Sequence, residues 1–250
     1  MEKQRAIQLV EKIKRLTALQ YETIESIVEQ FLMPITYFYN QQSDLFNKQF
    51  ATSFGDYLRL HHCLSKETFS KDKFEYALEK SLNEIGAKAY LARKGNPGHD
   101  ITINGVRFSL KTQAEKNINP DKIHISKFME MGKGAWETEA DLVGLRERFF
   151  AHMTSYDRIL ILRGLLRGPI EWHYELVEIP KSLLEESATG RLEMIHGSTQ
   201  TPKPGYCYVT ENGNTKFELY FDGGTERKLQ IKKIDKQLCI LQAEWKFRTE

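Results

Sequence analysis

The chain has 250 residues, 40% of them hydrophobic, which is enough to bury a core as one large domain or as a domain with an appendage. Its 36 lysines and arginines nearly balance its 34 aspartates and glutamates, so the overall charge does not identify an acidic partner. The three cysteines stand far apart and outside any CxxC or CxH pair, which argues against a disulfide framework and a structural zinc site.

The N-terminal part is predicted to be largely helical. Apolar residues recur at helical spacing over residues 2–33, which predicts two amphipathic helices that break near residues 16–19 and pack as a core pair. Residues 40–64 have weaker periodicity and predict a connection with short helices. Charges are threaded through the start of the chain and no run approaches the length of a membrane span, so we expect a soluble, cytoplasmic protein with no membrane partner.

The central part alternates between helical and strand patterns. A helix is predicted over residues 70–85, with Ser70 as its cap and Gly86 as its stop, and a short strand follows over residues 88–93. The later predicted elements are a turn-rich break at 94–98, a hairpin at 98–113, a helix at 136–153, strands at 158–162 and 172–179, and a short helix at 180–187.

The last fifty residues change character. Four strand-like segments, separated by turn sequences, predict an antiparallel meander over residues 206–210, 215–221, 227–234 and 238–247. The order of elements therefore predicts an α/β fold with a mixed central sheet flanked by helices, N-terminal helices and a C-terminal antiparallel meander.

The hairpin has the sequence GHDITINGVRFSLKTQ. Both positions of a type I′ turn need positive φ, and Asn104-Gly105 is the pair that tolerates it best. This turn fixes the register of the two strands. The predicted pairs are Ile103 with Val106, Ile101 with Phe108, and Asp100 with Ser109.

Alternation of side chains places Asp100, Ser109 and Lys111 on one polar face of the hairpin. Asp100 and Lys111 are diagonal neighbours at ~7 Å between α-carbons, which is close enough to share a water or a phosphate. An ordinary surface hairpin with a weak cross-strand ion pair explains the same spacing equally well.

The polar face has oxygen atoms of the kind that Mg²⁺ prefers. Asp100 and the carbonyl of Leu110 are the candidate ligands within the hairpin, and Ser109 is a weak ligand in place of a second carboxylate. Glu75, at the edge of the apolar stripe of the preceding helix, is the candidate for the missing acid, and Gln113 offers a neutral oxygen. Lys111 is the candidate for electrostatic help to a phosphate or an attacking water.

A helix with an edge glutamate, a strand, a Gly-rich break, Asp100, a hairpin and then x-Lys111 resembles the core of the PD-(D/E)XK nuclease superfamily, although PGHD at residues 97–100 is looser than the family's Pro-Asp pair. Longer blocks are similar to a branch of type II restriction endonucleases that cuts the palindrome CCCGGG in its centre. These blocks are NPGHDITI, LKTQAEKNI, HISKFMEMGKG, VEIPKSLL, PKPGYCYV and YFDGGTERKLQIK. The likeness covers residues 74–245 and is faint before them.

The resemblance implies a restriction-endonuclease-like fold and a Mg²⁺-dependent enzyme that cuts double-stranded DNA to blunt ends. It places Asp100 and Lys111 in the metal and catalytic roles, and Glu75 where many members have a helix glutamate. It also implies a homodimer on the palindrome and a cognate DNA methyltransferase as functional counterpart. The expected regions are an N-terminal helical region (1–69), a catalytic core (70–190) and a β-rich DNA-recognition part (191–250) packed on the core as one domain.

G·C pairs are read in the major groove by lysine and arginine donors and by acceptors for the cytosine amine. Lys228, Gln230 and Lys232 share one predicted strand face, and Arg227 lies beside the loop before them. The full set of candidate DNA-binding residues is Lys133, Lys203, Arg227, Lys228, Gln230 and Lys232. A solvated strand face explains any one of them equally well.

Two alternatives to the restriction enzyme stay open. A repair or junction-resolving nuclease on the same core would read the shape of DNA and not its sequence. A DNA-binding module without catalysis is suggested by Ser109 at the usual position of the second acid.

Overall fold

The computed structural model describes residues 2–93, 95, 98–167 and 170–249. The helices are α1 (Glu2–Ile13), α2 (Ala18–Leu32), α3 (Lys48–Leu64), α4 (Lys71–Glu84), α5 (Glu139–Met153) and α6 (Lys181–Glu185). The strands are β1 (Ile35–Tyr39), β2 (Ala89–Leu91), β3 (Ile101–Ile103), β4 (Val106–Gln113), β5 (Lys122–Glu130), β6 (Arg158–Arg167), β7 (Glu171–Glu178), β8 (Arg191–Met194), β9 (Gly205–Glu211), β10 (Asn214–Phe221), β11 (Lys228–Asp235) and β12 (Ile240–Arg248). Within these residues we find no helix with the length and apolar character needed to cross a membrane.

The strands form two sheets. The first has seven strands in the order β1-β12-β7-β6-β4-β3-β2, in which β4 and β6 run parallel and the other neighbours run antiparallel. The second is antiparallel and has five strands in the order β5-β11-β10-β9-β8. The predicted α/β class with a mixed central sheet, flanking helices and C-terminal antiparallel strands is confirmed.

The first sheet is covered on both faces. Alternate side chains of β6 point into two different cores. Ile159 and Ile161 point into a core shared with α5, α6 and the second sheet. Leu160 and Leu162 point into the opposite core, which α3 and α4 complete. A strand with two buried faces is expected to be continuously apolar, as RILIL is.

The N-terminal region differs from its prediction in two ways. The break between two helices is confirmed, with Thr17 as a capping-box residue of α2. The predicted packing of these helices as a core pair is wrong, because α1 leaves Ile7, Leu9 and Val10 about half exposed. The expected short helices of residues 40–64 are instead one long helix, α3.

The hairpin of residues 98–113 has the predicted register. Asn104 and Gly105 have φ values of 50° and 87°, and the pairs Ile103 with Val106 and Ile101 with Phe108 are present. The apolar residues face the core except for Val106, which adjoins the turn and is exposed. Lys94, Asn96 and Pro97 of the predicted turn-rich break lie outside the described residues.

The C-terminal strands divide between the two sheets. β9, β10 and β11 form the predicted antiparallel meander. The last predicted strand, β12, leaves this meander and pairs with β1 and β7 in the first sheet. Strand β5, at one edge of the second sheet, was not predicted from the sequence, and it places the meander beside the hairpin.

Candidate active site

Asp100 is fixed by the strand opposite it. Its carboxylate Oδ2 accepts a hydrogen bond from the backbone N–H of Leu110 at 2.6 Å and one from the Ser109 hydroxyl at 3.4 Å. Ser109 is almost fully buried, so the usual position of the second acid holds a small donor that supports Asp100. A carboxylate at that position would instead repel Asp100.

Glu75 of α4 lies beside Asp100, and one cation bridges them. The Nζ atom of Lys71 lies 2.7 Å from Oδ1 of Asp100 and 3.3 Å from Oε1 of Glu75. Lys71 and Glu75 are four residues apart on the helix and therefore share one face of it. The structure thus brings the helix glutamate and the hairpin aspartate to a single point.

The two carboxylates favour the binding of a cation between them. Burial raises the pKa of Glu75, the charge of Asp100 raises it further, and Lys71 only partly opposes both effects. Burial lowers the pKa of Lys71, but its hydrogen bond to Asp100 and the charges of Asp100 and Glu75 outweigh this and raise that pKa above its ordinary value. Two partly buried carboxylates therefore share one positive charge.

Lys111 lies on the same face of β4 as Ser109 but does not contact Asp100 directly. Its Nζ donates to the carbonyl of Phe128 at 3.1 Å and lies 5.3 Å from the centre of the Phe128 ring. Burial lowers the pKa of Lys111 to about 8. At pH 7 the side chain is therefore still mainly protonated, which suits electrostatic work better than proton abstraction.

A pocket of about 290 Å³ opens beside these groups, between β4 and β5. Lys71, Lys111 and Lys127 supply its three cationic side chains, and Ser126 adds a hydroxyl. Three lysines with a hydroxyl make a suitable cradle for a phosphate of a DNA backbone. The carboxylates of Asp100 and Glu75 lie at the Lys71 end of this cradle.

Gln113 belongs to a different network from the carboxylates. Its side chain is buried, and its Oε1 accepts from Nε of Arg163 at 2.9 Å. Its amide donates to Glu115 at 2.7 Å. Arg163 is fully buried and also donates to Glu175 at 2.8 Å. The oxygen that was expected to serve the metal site is thus engaged by a buried guanidinium, which favours a structural role.

We expect Gln113→Ala to lower the free energy of unfolding by about 1–3 kcal/mol, because it leaves the buried Nε of Arg163 without its acceptor. Cleavage per folded molecule should stay within a few-fold of wild type. Denaturant titration and a cleavage assay on the same preparations measure the two effects. Wild-type stability together with lost cleavage would return Gln113 to the catalytic set.

The predicted DNA-binding residues of β11 lie on the face of the second sheet that points away from its core. Lys228 pairs with Glu226 at 2.9 Å, and the amide of Gln230 donates to Asp222 at 3.0 Å. The Nζ atom of Lys232 lies 3.5 Å from the centre of the Tyr220 ring. Each side chain is therefore held in a fixed position at this surface.

Three tyrosines that the sequence analysis missed share this face. The rings of Tyr206 and Tyr208 stack at 5.2 Å, and those of Tyr206 and Tyr220 lie 4.8 Å apart. Lys232 lies against two of the three rings, at 3.5 Å from Tyr220 and 5.4 Å from Tyr206. The signal was present in YCY, where two tyrosines flank the buried Cys207 and must point to the opposite face.

The remaining candidates gather near the loop that joins β10 to β11. Arg227 donates to the carbonyl of Gly134, and Arg227 and Lys133 line one pocket. A side chain at Gly223 would overlap the carbonyl of Pro202, so the segment before Lys203 lies against the same loop. The Nζ atom of Lys203 donates to the carbonyl of His196 at 2.7 Å.

Comparison with known proteins shows which family the chain belongs to. The family model for SmaI, a type II site-specific deoxyribonuclease, matches residues 9–247, so the match includes most of the N-terminal region where the likeness was faint. The type II restriction enzyme SmaI of Serratia marcescens is 50% identical over 206 residues, which are 82% of this chain and 82% of that enzyme. No solved structure matches the chain. Type II restriction endonucleases generally need a divalent metal ion. The chain belongs to the SmaI family of type II site-specific deoxyribonucleases and is a restriction endonuclease.

Proposed function

We propose that the enzyme uses Mg²⁺ to cut both strands of duplex DNA at the centre of CCCGGG, leaving blunt ends with 5′-phosphates and 3′-hydroxyls. The recognised DNA sequence and the position of the cut are taken from the resemblance of the protein's sequence blocks to this family. The observation that carries the chemistry is the meeting of Asp100 and Glu75 around one cation beside Lys111. It disfavours an inactive binding module, because a second acid is present in space although Ser109 stands at its usual place in the sequence.

The residues fit a hard divalent ion. The Lys71 ammonium already stands where a cation would lie between Asp100 and Glu75. The N–H of Leu110 points to Asp100, and the carbonyl of a residue in an antiparallel strand points to the same side as its N–H, so the Leu110 carbonyl is a suitable third ligand. All three ligands are oxygens, as Mg²⁺ requires. When bound, the ion supplies Lewis-acid assistance to phosphodiester hydrolysis.

The protein groups position the scissile phosphate and compensate its charge. We assign Lys111 to the phosphate oxygens that gain negative charge as the P–O bond breaks, because its ammonium is buried, preorganised on the Phe128 carbonyl and mainly protonated at pH 7. Lys127 and Ser126 hold a phosphate at the outer side of the pocket. Two donors from β4 hold the Asp100 carboxylate in position.

The same strands connect the pocket to a surface for base recognition. β5 supplies Lys127 and the Phe128 carbonyl to the pocket and pairs directly with β11, which carries Lys228, Gln230 and Lys232. A DNA strand with a phosphate in the pocket would therefore pass close to this face. We propose that Lys228 and Lys232 donate to guanine, that Gln230 contacts a neighbouring base edge, and that Arg227, Lys203 and Lys133 hold the flanking backbone.

We expect Lys232→Ala to weaken binding to a CCCGGG duplex by about 1–3 kcal/mol, roughly tenfold or more, because a base donor is lost. Binding to unrelated DNA should weaken much less. Lys246→Ala is the matched control, since Lys246 lies in the first sheet and pairs with Glu244. Fluorescence anisotropy with both duplexes at fixed salt measures the change. An equal loss on both duplexes would assign Lys232 to the backbone.

A palindrome cut on both strands calls for two active sites. We propose that a homodimer supplies them, one per strand, with its two-fold axis on that of the DNA. A methyltransferase that modifies CCCGGG is the counterpart that the host genome would need. The cytoplasm, where both would meet the DNA, stays the predicted location.

The test is digestion of a plasmid of known sequence with Mg²⁺ and mapping of the ends. We expect discrete fragments that end at the centres of CCCGGG sites. Cutting at branched or damaged DNA without sequence preference would support a repair or junction nuclease. Sequence-specific binding without turnover under any divalent metal would contradict the enzyme that we propose.

A further inference from the structure

Lys71 occupies the position that the proposed metal ion needs. Its Nζ is 2.7 Å from Asp100 and 3.3 Å from Glu75, so a divalent ion between these carboxylates and the Lys71 ammonium exclude each other. The side chain is 42% exposed and stands on the first residue of α4, so it can leave through solvent without any change in the core. If the Lys71 ammonium moved only slightly from this position, it would still repel a divalent ion bound between Asp100 and Glu75.

We propose that Lys71 is a built-in counter-cation that keeps the metal position closed until DNA enters, and so couples metal binding to DNA binding. This inference rests on the proposed metal site. In it Lys71 is neither a metal ligand nor a catalytic residue. Lys71 instead controls when Asp100 and Glu75 are available to bind a metal ion.

The pocket provides a reason for Lys71 to move. Lys71 lines the phosphate cradle together with Lys111 and Lys127. A phosphate that enters the cradle offers Lys71 a new anionic partner, and the transfer of the ammonium to this partner releases both carboxylates. Binding of DNA then favours binding of metal, and by linkage binding of metal favours binding of DNA by the same factor.

The competing explanation is a permanent ion pair that only stabilises the fold. It predicts that removal of Lys71 destabilises the protein and damages the metal site, with weaker metal binding. Competition predicts the opposite sign, because Asp100 and Glu75 would lose the cation that contacts both of them. The direction of the change in metal affinity therefore separates the two explanations.

The experiment is calorimetric titration of the 250-residue chain with Ca²⁺, first alone and then with a CCCGGG duplex whose integrity is checked on a gel afterwards. The variants are Lys71→Met, Lys71→Arg, Asp100→Asn and the control Lys80→Met. Lys80 is an exposed lysine of the same helix that lies over the Tyr76 ring, so its loss changes the charge equally. Circular dichroism establishes that each variant is folded.

We expect Lys71→Met to bind Ca²⁺ roughly tenfold or more tightly without DNA, and the increase in affinity on adding DNA to shrink. Lys71→Arg and Lys80→Met should both behave as wild type. Unchanged or weaker Ca²⁺ binding by Lys71→Met, while Asp100→Asn loses binding, would overturn the role of Lys71 and leave the metal site standing. Wild-type Ca²⁺ affinity in Asp100→Asn would overturn the metal site and this inference together.

If Lys71→Met proves poorly folded, a thermal shift assay on Lys71→Gln gives a second readout. Competition predicts a lower melting temperature than wild type without metal and a larger upward shift on adding Ca²⁺. A smaller shift than wild type would overturn the inference.

Discussion

Asp100→Asn should reduce DNA cleavage by ~1,000-fold or more while leaving sequence-specific binding intact. The amide has the shape of the carboxylate and can still accept the Leu110 N–H, so the hairpin keeps its geometry. It lacks the negative charge that a divalent ion needs. Single-turnover cleavage and anisotropy with the same CCCGGG duplex measure the two properties.

Asp157→Asn is the matched control for this change. Asp157 is a half-exposed aspartate that pairs with Arg107 of the same hairpin at 3.1 Å, away from the carboxylate cluster. The control should cleave at nearly the wild-type rate. Appreciable cleavage by Asp100→Asn would show that this carboxylate does not hold the ion.

Glu75→Gln should be nearly as severe as Asp100→Asn, because Glu75 is the second carboxylate at the shared cation position. We expect a loss of at least ~100-fold in the rate of cleavage and only a small loss of stability, since Glu75 is half-buried and its partner Lys71 keeps Asp100. Raising the metal concentration should restore part of the rate. A titration of the rate against Mg²⁺ measures both effects.

Two further variants make the Glu75 result specific. Asp72→Asn removes an exposed carboxylate from the first turn of the same helix and should leave the rate nearly unchanged. Ser109→Ala should cost less than tenfold, because it removes one long hydrogen bond to Asp100 and no charge. Wild-type cleavage by Glu75→Gln, or a larger loss from Ser109→Ala, would show that the second acid has been misassigned.

The hairpin was predictable because its information is local. Asn104-Gly105 determines the turn, the turn determines the register, and strict alternation then places Asp100 and Lys111. Glu75 was predictable from its place at the edge of an apolar helical stripe. The burial of Phe74 and Leu78 fixes which way that helix faces the sheet.

The long helix α3 was missed although its pattern was present. Within it, Phe50, Phe54 and Leu58 recur every four residues and are buried. Polar residues around this stripe obscured it. One of them, His62, four residues after Leu58, is itself buried, with a hydrogen bond to Tyr174 and a stacked contact with Trp172. Composition alone could not anticipate that these polar groups have partners inside the protein.

The partners of two strands, β5 and β12, could not be predicted from local sequence. β12 is continuous in the chain with the meander, but it pairs with β7 and β1, and only long-range packing decides this. Lys71 was missed for the same reason. Nothing in the helix sequence indicates that its first lysine reaches an aspartate of the hairpin.

Ser109 is explained by the same geometry. The strand position that usually carries an acid is buried here and donates to Asp100, and α4 provides the second carboxylate from the other side. We propose that the pair of acids is kept, with one member from the hairpin and the other from the helix α4. On this account the departure from the superfamily pattern moves the second acid and does not remove it.

The most direct test of this account is a crystal structure of the enzyme with a CCCGGG duplex and Mn²⁺, with the ion located by its anomalous scattering. We predict a Mn²⁺ peak between the carboxylates of Asp100 and Glu75, with the central phosphate beside Lys111 and the Lys71 side chain turned away from both acids. A Mn²⁺ ion bound by Asp100 without Glu75, or a central phosphate outside the lysine-lined pocket, would contradict it.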